Sequence, residues 1–457
     1  MSNLYQLAQS LKDKFEPNRV VLEPYLNRKD FLSQSIIPSD ILVYSGSGAS
    51  LKTNKGVLID FASMTVNCIL GQNDPWVNAN IIAYLNSERP SFLTTRLGSE
   101  CYFGVAKRIL GLTSFSDGVI NHRQCNGTDV NELAIFAAYY YRKKGRDTLV
   151  SFKNSYHGQS LTAYLMSGLQ RKHQFLINES PVVFLDYPSH AEDIDKDIPL
   201  TQKDMEILDV LKTLKDKAFA VIMEPIQVNN GVNTPSKFFM LELKNLCQKF
   251  GIALIFDEVQ TGFGWLGTVT AGQRYGLKPN LMAMSKAITA GNGPLAVLIS
   301  DKKYQNIPDG TAAKTNGADI RSLVAANAVM DRLVGIPESE IPTTVSEKLY
   351  KELREGLLIS IPKKGEKLLE RLQALKEEMP NLIGRIKGDR LIRGIEILGK
   401  KGIDSNLIKE IQFKLMESGV LVRHCASTLI FKTPAVITEK ELDRGFEIIK
   451  KTLFKYK

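Results

Sequence analysis

The sequence predicts an α/β protein: a large domain with a mainly parallel mixed sheet flanked by helices, plus a smaller α+β domain. Three observations carry that reading. Short apolar runs alternate with helical patterns between residues 130 and 300. Several of those runs end abruptly in acids, a lysine or a histidine. The last third changes texture, to one long amphipathic helix followed by strand pairs.

The runs TLVSF (148–152), VVFL (182–185), FAVIM (219–223), ALIF (253–256), LMAM (281–284) and LAVLI (295–299) read as buried strands. They are short and built of β-branched or large apolar residues, as strands covered on both faces are. Between the third and fourth lies SKFFMLELKNLCQKF. There Phe239, Leu243, Leu246, Cys247 and Phe250 recur at helical spacing, and Ser236 can cap the start. Strand–helix–strand alternation implies parallel neighbours.

Further on, GEKLLERLQALKEEMP places Leu368, Leu369, Leu372 and Leu375 on one helix face. RIKGDRLIRGIEIL reads as two strands around a Gly388–Asp389 turn, and LVRHCASTLIF as a second strand pair. We therefore divide the chain into an N-terminal segment (1–60), a large domain (61–325) and a small domain (326–457). The N-terminal segment packs on the small domain or a partner subunit. Its first 40 residues carry prolines and weak periodicity, and wrap a neighbour rather than fold alone.

Bulk properties set limits. A chain of 457 residues can bury a core in both domains. Its 44% hydrophobic and 24% charged residues are ordinary for a soluble globular protein. The net charge of +10 comes with no arginine–aromatic cluster and no nucleic-acid motif, so it reads as a lysine-rich surface that attracts anions. Five widely spaced cysteines fit neither a disulfide framework nor a metal site. The opening MSNLYQLAQSLKDKF has charges where a signal peptide would be apolar, and no run approaches the ~20 residues that span a bilayer. A cytoplasmic protein is expected, with no metal, nucleic-acid or membrane partner.

In open α/β sheets, ligands bind at the carboxyl ends of the strands. Asp257 follows ALIF, and Ser285-Lys286 follow LMAM. Asn154 to Gly158, with Tyr156 and His157, follow TLVSF, and Glu224-Pro225 follow FAVIM. A buried acid costs several kcal/mol unless something positive meets it. Pyridoxal 5'-phosphate answers this set. It needs a lysine for its aldehyde, an acid to hold its ring nitrogen protonated, an aromatic to stack and a helix start for its phosphate. For the phosphate, CNGTDVNELAIFAAYYYRKKG offers Asn126, Gly127 and Thr128 before a convincing helix. Taken singly, each residue has a plainer role: Lys286 on the surface, Asp257 in an ion pair, Asn126 as an N-cap.

The chain resembles the class III (ω-type) aminotransferases of fold type I. The stretch IFDEVQTGFGWLG (255–267), then KPN (278–280) and SKA (285–287), is similar to the family's I-F-D-E-V-Q-T-G-F-G-R-T-G, proline and S-K-A. NGTDVNE (126–132), Tyr156-His157-Gly158 and Glu224 to Gln227 resemble three further family motifs, and the likeness runs through nearly the whole chain. By that resemblance Lys286 forms the Schiff base and Asp257 pairs with the pyridinium. Gln260 bonds the ring hydroxyl and Tyr156 stacks on the ring. Asn126, Gly127 and Thr128 bind the phosphate, and Glu224 belongs to the cofactor site. Thr315 matches a threonine that reaches the phosphate from the other subunit. The resemblance thus implies a homodimer with shared active sites. His157 falls in a family motif, with packing and chemistry both open.

Two departures bear on substrate. Many members read a carboxylate with an arginine where this chain has Ile430, and pair it with a glutamate where this chain has Asn229. The family's R-T-G is here Trp265-Leu266-Gly267, and Gln159 replaces another arginine of some members. Loss of both ion-pair halves leaves no buried charge unpaired. It suggests a changed pocket and a specialised biosynthetic substrate, unless Lys432 or Arg423 supplies the positive charge. The expected activity is transfer of an amino group from an amino acid or amine donor to a carbonyl acceptor. A racemase or epimerase, an aminomutase or another reaction of the same cofactor is the alternative, and a basic binding protein without catalysis the third.

Overall fold

The computed structural model describes residue 10 and residues 41–457, apart from 95, 169–180, 309, 400, 401 and 404. The expectation for the first 40 residues falls outside these, Ser10 excepted. The described chain opens on an antiparallel meander of β1 (Val43–Ser47), β2 (Ser50–Thr53) and β3 (Gly56–Asp60).

The central sheet follows, from β4 (Val119–Gln124), β5 (Thr148–Phe152), β6 (Val182–Leu185), β7 (Ala218–Met223), β8 (Ala253–Asp257), β9 (Leu281–Met284) and β10 (Ala296–Ser300). Its seven strands run in the order β4-β10-β9-β8-β7-β5-β6. Strands β9, β8, β7, β5 and β6 are mutually parallel. Strand β10 is antiparallel to both its neighbours, so β4 points the same way as β8. The carboxyl ends of β4, β5, β7, β8 and β9 therefore share one edge.

Three predicted strands coincide with β5, β6 and β9. Strand β7 begins one residue earlier than predicted, β8 extends to Asp257, and β10 is shifted by one residue. Strand β4, VINHRQ, carries no apolar run. It lies at the sheet edge with five of its six residues half-buried, so burial imposes no continuous apolar pattern on it. The helix predicted after β7 spans Lys237–Phe250, and Ser236 caps it by accepting from Phe239 N. Its apolar face packs on the sheet beside β7 and β8.

The small sheet comprises β11 (Ile383–Asp389), β12 (Ile392–Gly399), β13 (Gly402–Ile403), β15 (Arg423–Cys425) and β16 (Thr428–Lys432). Between β13 and β15, strand β14 (Val420–Leu421) leaves this sheet and pairs in parallel with β3. The hairpin β11–β12 corrects the sequence reading. Gly388 and Asp389 are in the ladder, and the turn falls at Arg390-Leu391, with Arg390 at φ 47°. Gly388 is held in the strand at φ 95°, where a Cβ would meet Ile392 O at 2.0 Å. The long helix starts at Ile361, with Pro362 in its first turn. Leu368, Leu372 and Leu375 are buried against the small sheet, while Leu369 is only half-buried.

Phe256, fully buried between β7 and β9, immediately precedes the site acid. Phe256→Ala should cost about 3–5 kcal/mol of stability. An unchanged denaturant midpoint would show that β8 is not anchored there.

Candidate active site

Asp257 ends β8 and is 4% exposed. Its Oδ2 accepts from Asn131 Nδ2 at 2.7 Å and lies 2.7 Å from His157 Nδ1, while its Oδ1 accepts from Val259 N at 3.1 Å. Asn131 also donates to His157 O, at 3.0 Å, so helix, strand end and acid are tied together. The next residue has a different task. Glu258 is fully buried and accepts from Ala271 N at 2.6 Å and Gly272 N at 2.8 Å, at the start of a short helix. Burial pushes its carboxyl up to about 7 although three hydrogen bonds pull the other way.

Lys286 follows β9 and adopts φ 45°, a left-handed conformation that costs a non-glycine residue of order 1 kcal/mol. Such strain persists only where the surroundings hold it, and here Ser285 Oγ donates to Leu295 O at 3.0 Å. Burial lowers the Lys286 amine to about 8. Arg423 pushes the same way, and Asp257 and Glu224 oppose. Glu224, at the end of β7, accepts from Tyr156 N at 3.1 Å. Burial, then the neighbouring Asp257, hold its carboxyl well above the usual range.

The turn that the sequence offers for the phosphate lies at the end of β4. Asn126 caps the helix Gly127–Tyr140 by accepting from Asp129 N at 3.0 Å. That helix start faces Val259 and Gly158. A Cβ on Gly127 would meet Val259 Cγ1 at 2.7 Å, and one on Gly158 would meet Thr128 Oγ1 at 2.5 Å. Two glycines thus let three backbones converge. A cavity of about 180 Å³ opens there, lined by Asn126, Gly127, Thr128, Asn131, Tyr156, His157, Gly158, Glu224, Ile226, Asp257, Val259, Gln260 and Lys286.

Eight of the nine residues singled out from the sequence line this one cavity: Lys286, Asp257, Gln260, Tyr156, Asn126, Gly127, Thr128 and Glu224. Thr315 does not. It is exposed, in the turn between β10 and the helix Ile320–Val334. Asn131, Val259 and Ile226 were not singled out. Asn131 had a legible signal, since it lies four residues after Gly127 on the same helix face. His157 Nδ1 donates to the Asp257 carboxylate, and the ring packs buried behind it.

The substrate-side departures also resolve geometrically. Ile430 lies in the middle of β16, 2% exposed, and its register partner on β15 is Arg423. Cross-strand partners share a face, so the guanidinium rises beside the position that lacks one. Among the described residues no carboxylate pairs with half-buried Arg423. Asn229 accepts a hydrogen bond at its main-chain oxygen from Cys425. Lys432 is 1% exposed, donates to Gln260 O at 2.7 Å and sits 5.6 Å from the centre of the buried Trp265 ring. Burial, with Lys286 and Arg423 nearby, drives its amine well below the usual range.

The residues fit pyridoxal 5'-phosphate. A lysine with a lowered pKa and an acid pinned by three donors share one cavity with a helix start. The buried Gln260 Oε1 has no partner, so it can accept from a polar ring substituent. The fold and this site define a fold type I pyridoxal-phosphate enzyme.

Comparison with known proteins narrows the class. A family profile described as aminotransferase class-III matches residues 35–453, and the chain belongs to that family. Acetylornithine aminotransferase of Haemophilus ducreyi is 26% identical over 431 residues, covering 93% of this chain and 96% of that protein. The alanine/serine racemase of Pyrococcus horikoshii is 26% identical over 393 residues, covering 82% and 75%. A PLP-bound amine transaminase from an uncultivated Pseudomonas species superposes with a TM-score of 0.78 over 93% of this chain and 98% of its own. At 22% identity that likeness speaks to the fold. The protein is a pyridoxal-phosphate-dependent aminotransferase acting on small amino donors and carbonyl acceptors. Among the described residues no helix is long and apolar enough to cross a membrane.

The lowered Lys286 pKa makes a prediction. The neutral amine, the form that captures an aldehyde, appears above about pH 8 rather than above 10.5. Uptake of pyridoxal 5'-phosphate by the cofactor-free protein, followed by visible absorbance, should rise with pH to a half-maximum near 8. A half-maximum above 10 would contradict the buried-amine account.

Proposed function

We propose that this aminotransferase takes a carboxylate-bearing amino donor, with Lys286 and Asp257 as its catalytic residues. The observation that carries the reading is the pairing of a three-fold-pinned acid with a strained, half-buried lysine across one cavity. When bound, pyridoxal 5'-phosphate supplies an aldehyde for amine exchange and a ring that accepts electron density from the substrate carbon.

The chain's residues divide the remaining work. Gly127 and Thr128 present main-chain amides, and the Thr128 hydroxyl, to the phosphate at the helix N-terminus. Asn126 shapes that turn. Tyr156 lies against the ring, and Gln260 meets its hydroxyl oxygen. Glu224 holds the Tyr156 main chain in place through its amide. Asp257 keeps a proton on the ring nitrogen, and His157 and Asn131 fix the orientation of its carboxylate. A fixed charge in a water-poor site stabilises charge development more than the same charge in water. Lys286 Nζ, its pKa lowered by burial to about 8, takes the proton from the substrate carbon and returns it.

Arg423 meets the donor carboxylate. Among the described residues no acid pairs with this half-buried guanidinium, a position that is costly until an anion arrives. The reading also includes a homodimer, in which Thr315 reaches the partner's phosphate site. The exposed apolar side chains of Ile82, Leu85, Phe92, Leu97 and Phe103 support a covered surface. Five free cysteines suit a reducing cytoplasm.

The racemase reading stands second, favoured by the similarity to the Pyrococcus horikoshii racemase. Optical titration of the cofactor-loaded protein with single amino compounds separates the two. One donor should convert the cofactor stoichiometrically to its amine form. Exchange of a substrate α-proton with deuterated solvent, without conversion, would favour the racemase instead.

Two substitutions test the roles. Lys286→Ala should abolish turnover and the covalent cofactor absorbance, and full activity would refute the assignment. Arg423→Met should raise KM for amino acid donors by about 10- to 100-fold, the worth of a charge-assisted hydrogen bond, while sparing amines that lack a carboxylate. An equal loss for both donor types would remove Arg423 from carboxylate recognition.

A further inference from the structure

A second cavity, of about 410 Å³, lies where the ends of β5 and β6 meet the small sheet. Lys153, Lys203 and Arg385 line it, with Asp186 the one acid among its walls. Lys153 pairs with Asp186 at 2.9 Å. Arg385 pairs with Glu396 at 3.0 Å, and that same carboxylate also takes Lys387 at 2.7 Å. Glu396 thus answers two cations with one charge. The Lys203 ammonium, exposed at the start of the helix Gln202–Thr213, has no acid paired with it among the described residues. The walls carry a surplus of positive charge.

His190, in the cavity wall, adds a buried donor. Its Nδ1 accepts from Thr234 N at 3.2 Å, which places the ring proton on Nε2. That Nε2 is buried and has no partner. Burial, and then the cations Lys387 and Arg385, lower the His190 pKa to about 4, so the ring is a neutral donor at ordinary pH. A buried N–H without an acceptor costs about 1–3 kcal/mol. An anion drawn past the cavity wall to Nε2 would accept from it and answer the surplus charge together.

We propose that this cavity is a binding site for a small phosphate- or carboxylate-bearing molecule, distinct from the cofactor cavity. Its size suits a metabolite rather than a lone ion. Its position ties it to the catalytic edge. Lys153 O accepts from Gln227 Nε2 at 2.9 Å, and Gln227 Oε1 accepts from Asn230 Nδ2 at 2.9 Å. Lys153 begins the segment that leads to Tyr156, and Gln227 belongs to the segment that begins at Glu224. A ligand touching Lys153 and Asn230 therefore contacts both segments. The inference does not depend on which reaction the cofactor site performs.

The test uses the cofactor-loaded protein, so that the cofactor's own phosphate occupies the catalytic turn. Inorganic phosphate and succinate are titrated separately by calorimetry at fixed ionic strength. Saturable binding of either below ~10 mM is expected, and the one bound more tightly tells phosphate from carboxylate chemistry. Lys203→Ala, on an exposed helix position, should weaken binding about tenfold, the worth of one charge-assisted contact. His190→Gln should weaken it as well, while Lys363→Ala in the small domain should leave it unchanged. Absence of saturable binding for both anions would overturn the proposal. So would binding that neither Lys203→Ala nor His190→Gln alters.

Discussion

The site depends on one constraint: a carboxylate kept at the end of a fully buried strand. β8 delivers Asp257 into a place where water cannot answer its charge. Asn131, His157 and the Val259 amide satisfy its oxygens and fix its direction. In our reading they leave it a partner that must be cationic, and the ring nitrogen of the cofactor is that partner. The lysine, the glycines and the helix start are arranged around this requirement. Glu258 shows the contrast. It is equally buried and one residue on, yet two main-chain amides and a hydroxyl satisfy it, and it serves the fold.

The architecture supports that constraint from two sides. Reversal of β10 lets β4 run with the parallel strands, so the Asn126–Thr128 helix start and the acid share an edge. From the small sheet, β16 reaches across. Lys432 donates to Gln260 O, its own amide donates to Phe61 O, and Ser63 Oγ donates to Lys432 O. A buried amine without a carboxylate partner is costly as a cation. Its lowered pKa and its contact with Trp265 fit a neutral strut. Trp265 and Lys432 meet in space although 167 positions separate them in the sequence.

The central strands were legible because burial on both faces leaves a short, uninterrupted apolar run that ends where the polar edge begins. Asp257, Lys286, Tyr156 and Glu224 were legible for the same reason, each standing just past such a run. What pairs with what was not. Helix spacing puts Asn131 on the same face as Gly127, but nothing local says that it bonds an acid 126 positions away. Arg423 could be named from the sequence only as one of two alternatives, beside Lys432. Linear matching finds isoleucine where an arginine was expected, and only the β15–β16 register shows a guanidinium directly opposite. The hairpin turn was misplaced because Gly388 looked like a turn glycine. Its freedom is used instead for close approach of β12, and Arg390 takes the left-handed position. Strand β4 had no apolar signal to read, being an edge.

The central claim is that the acid of β8 holds a proton on the cofactor ring. It is tested most directly by nitrogen-15 NMR of the protein loaded with ring-labelled pyridoxal 5'-phosphate. The account predicts a pyridinium-type resonance in the native enzyme, and a shift to the neutral pyridine range in Asp257→Ala with the cofactor still bound. A neutral ring nitrogen in the native enzyme, or a pyridinium that survives loss of Asp257, would contradict it.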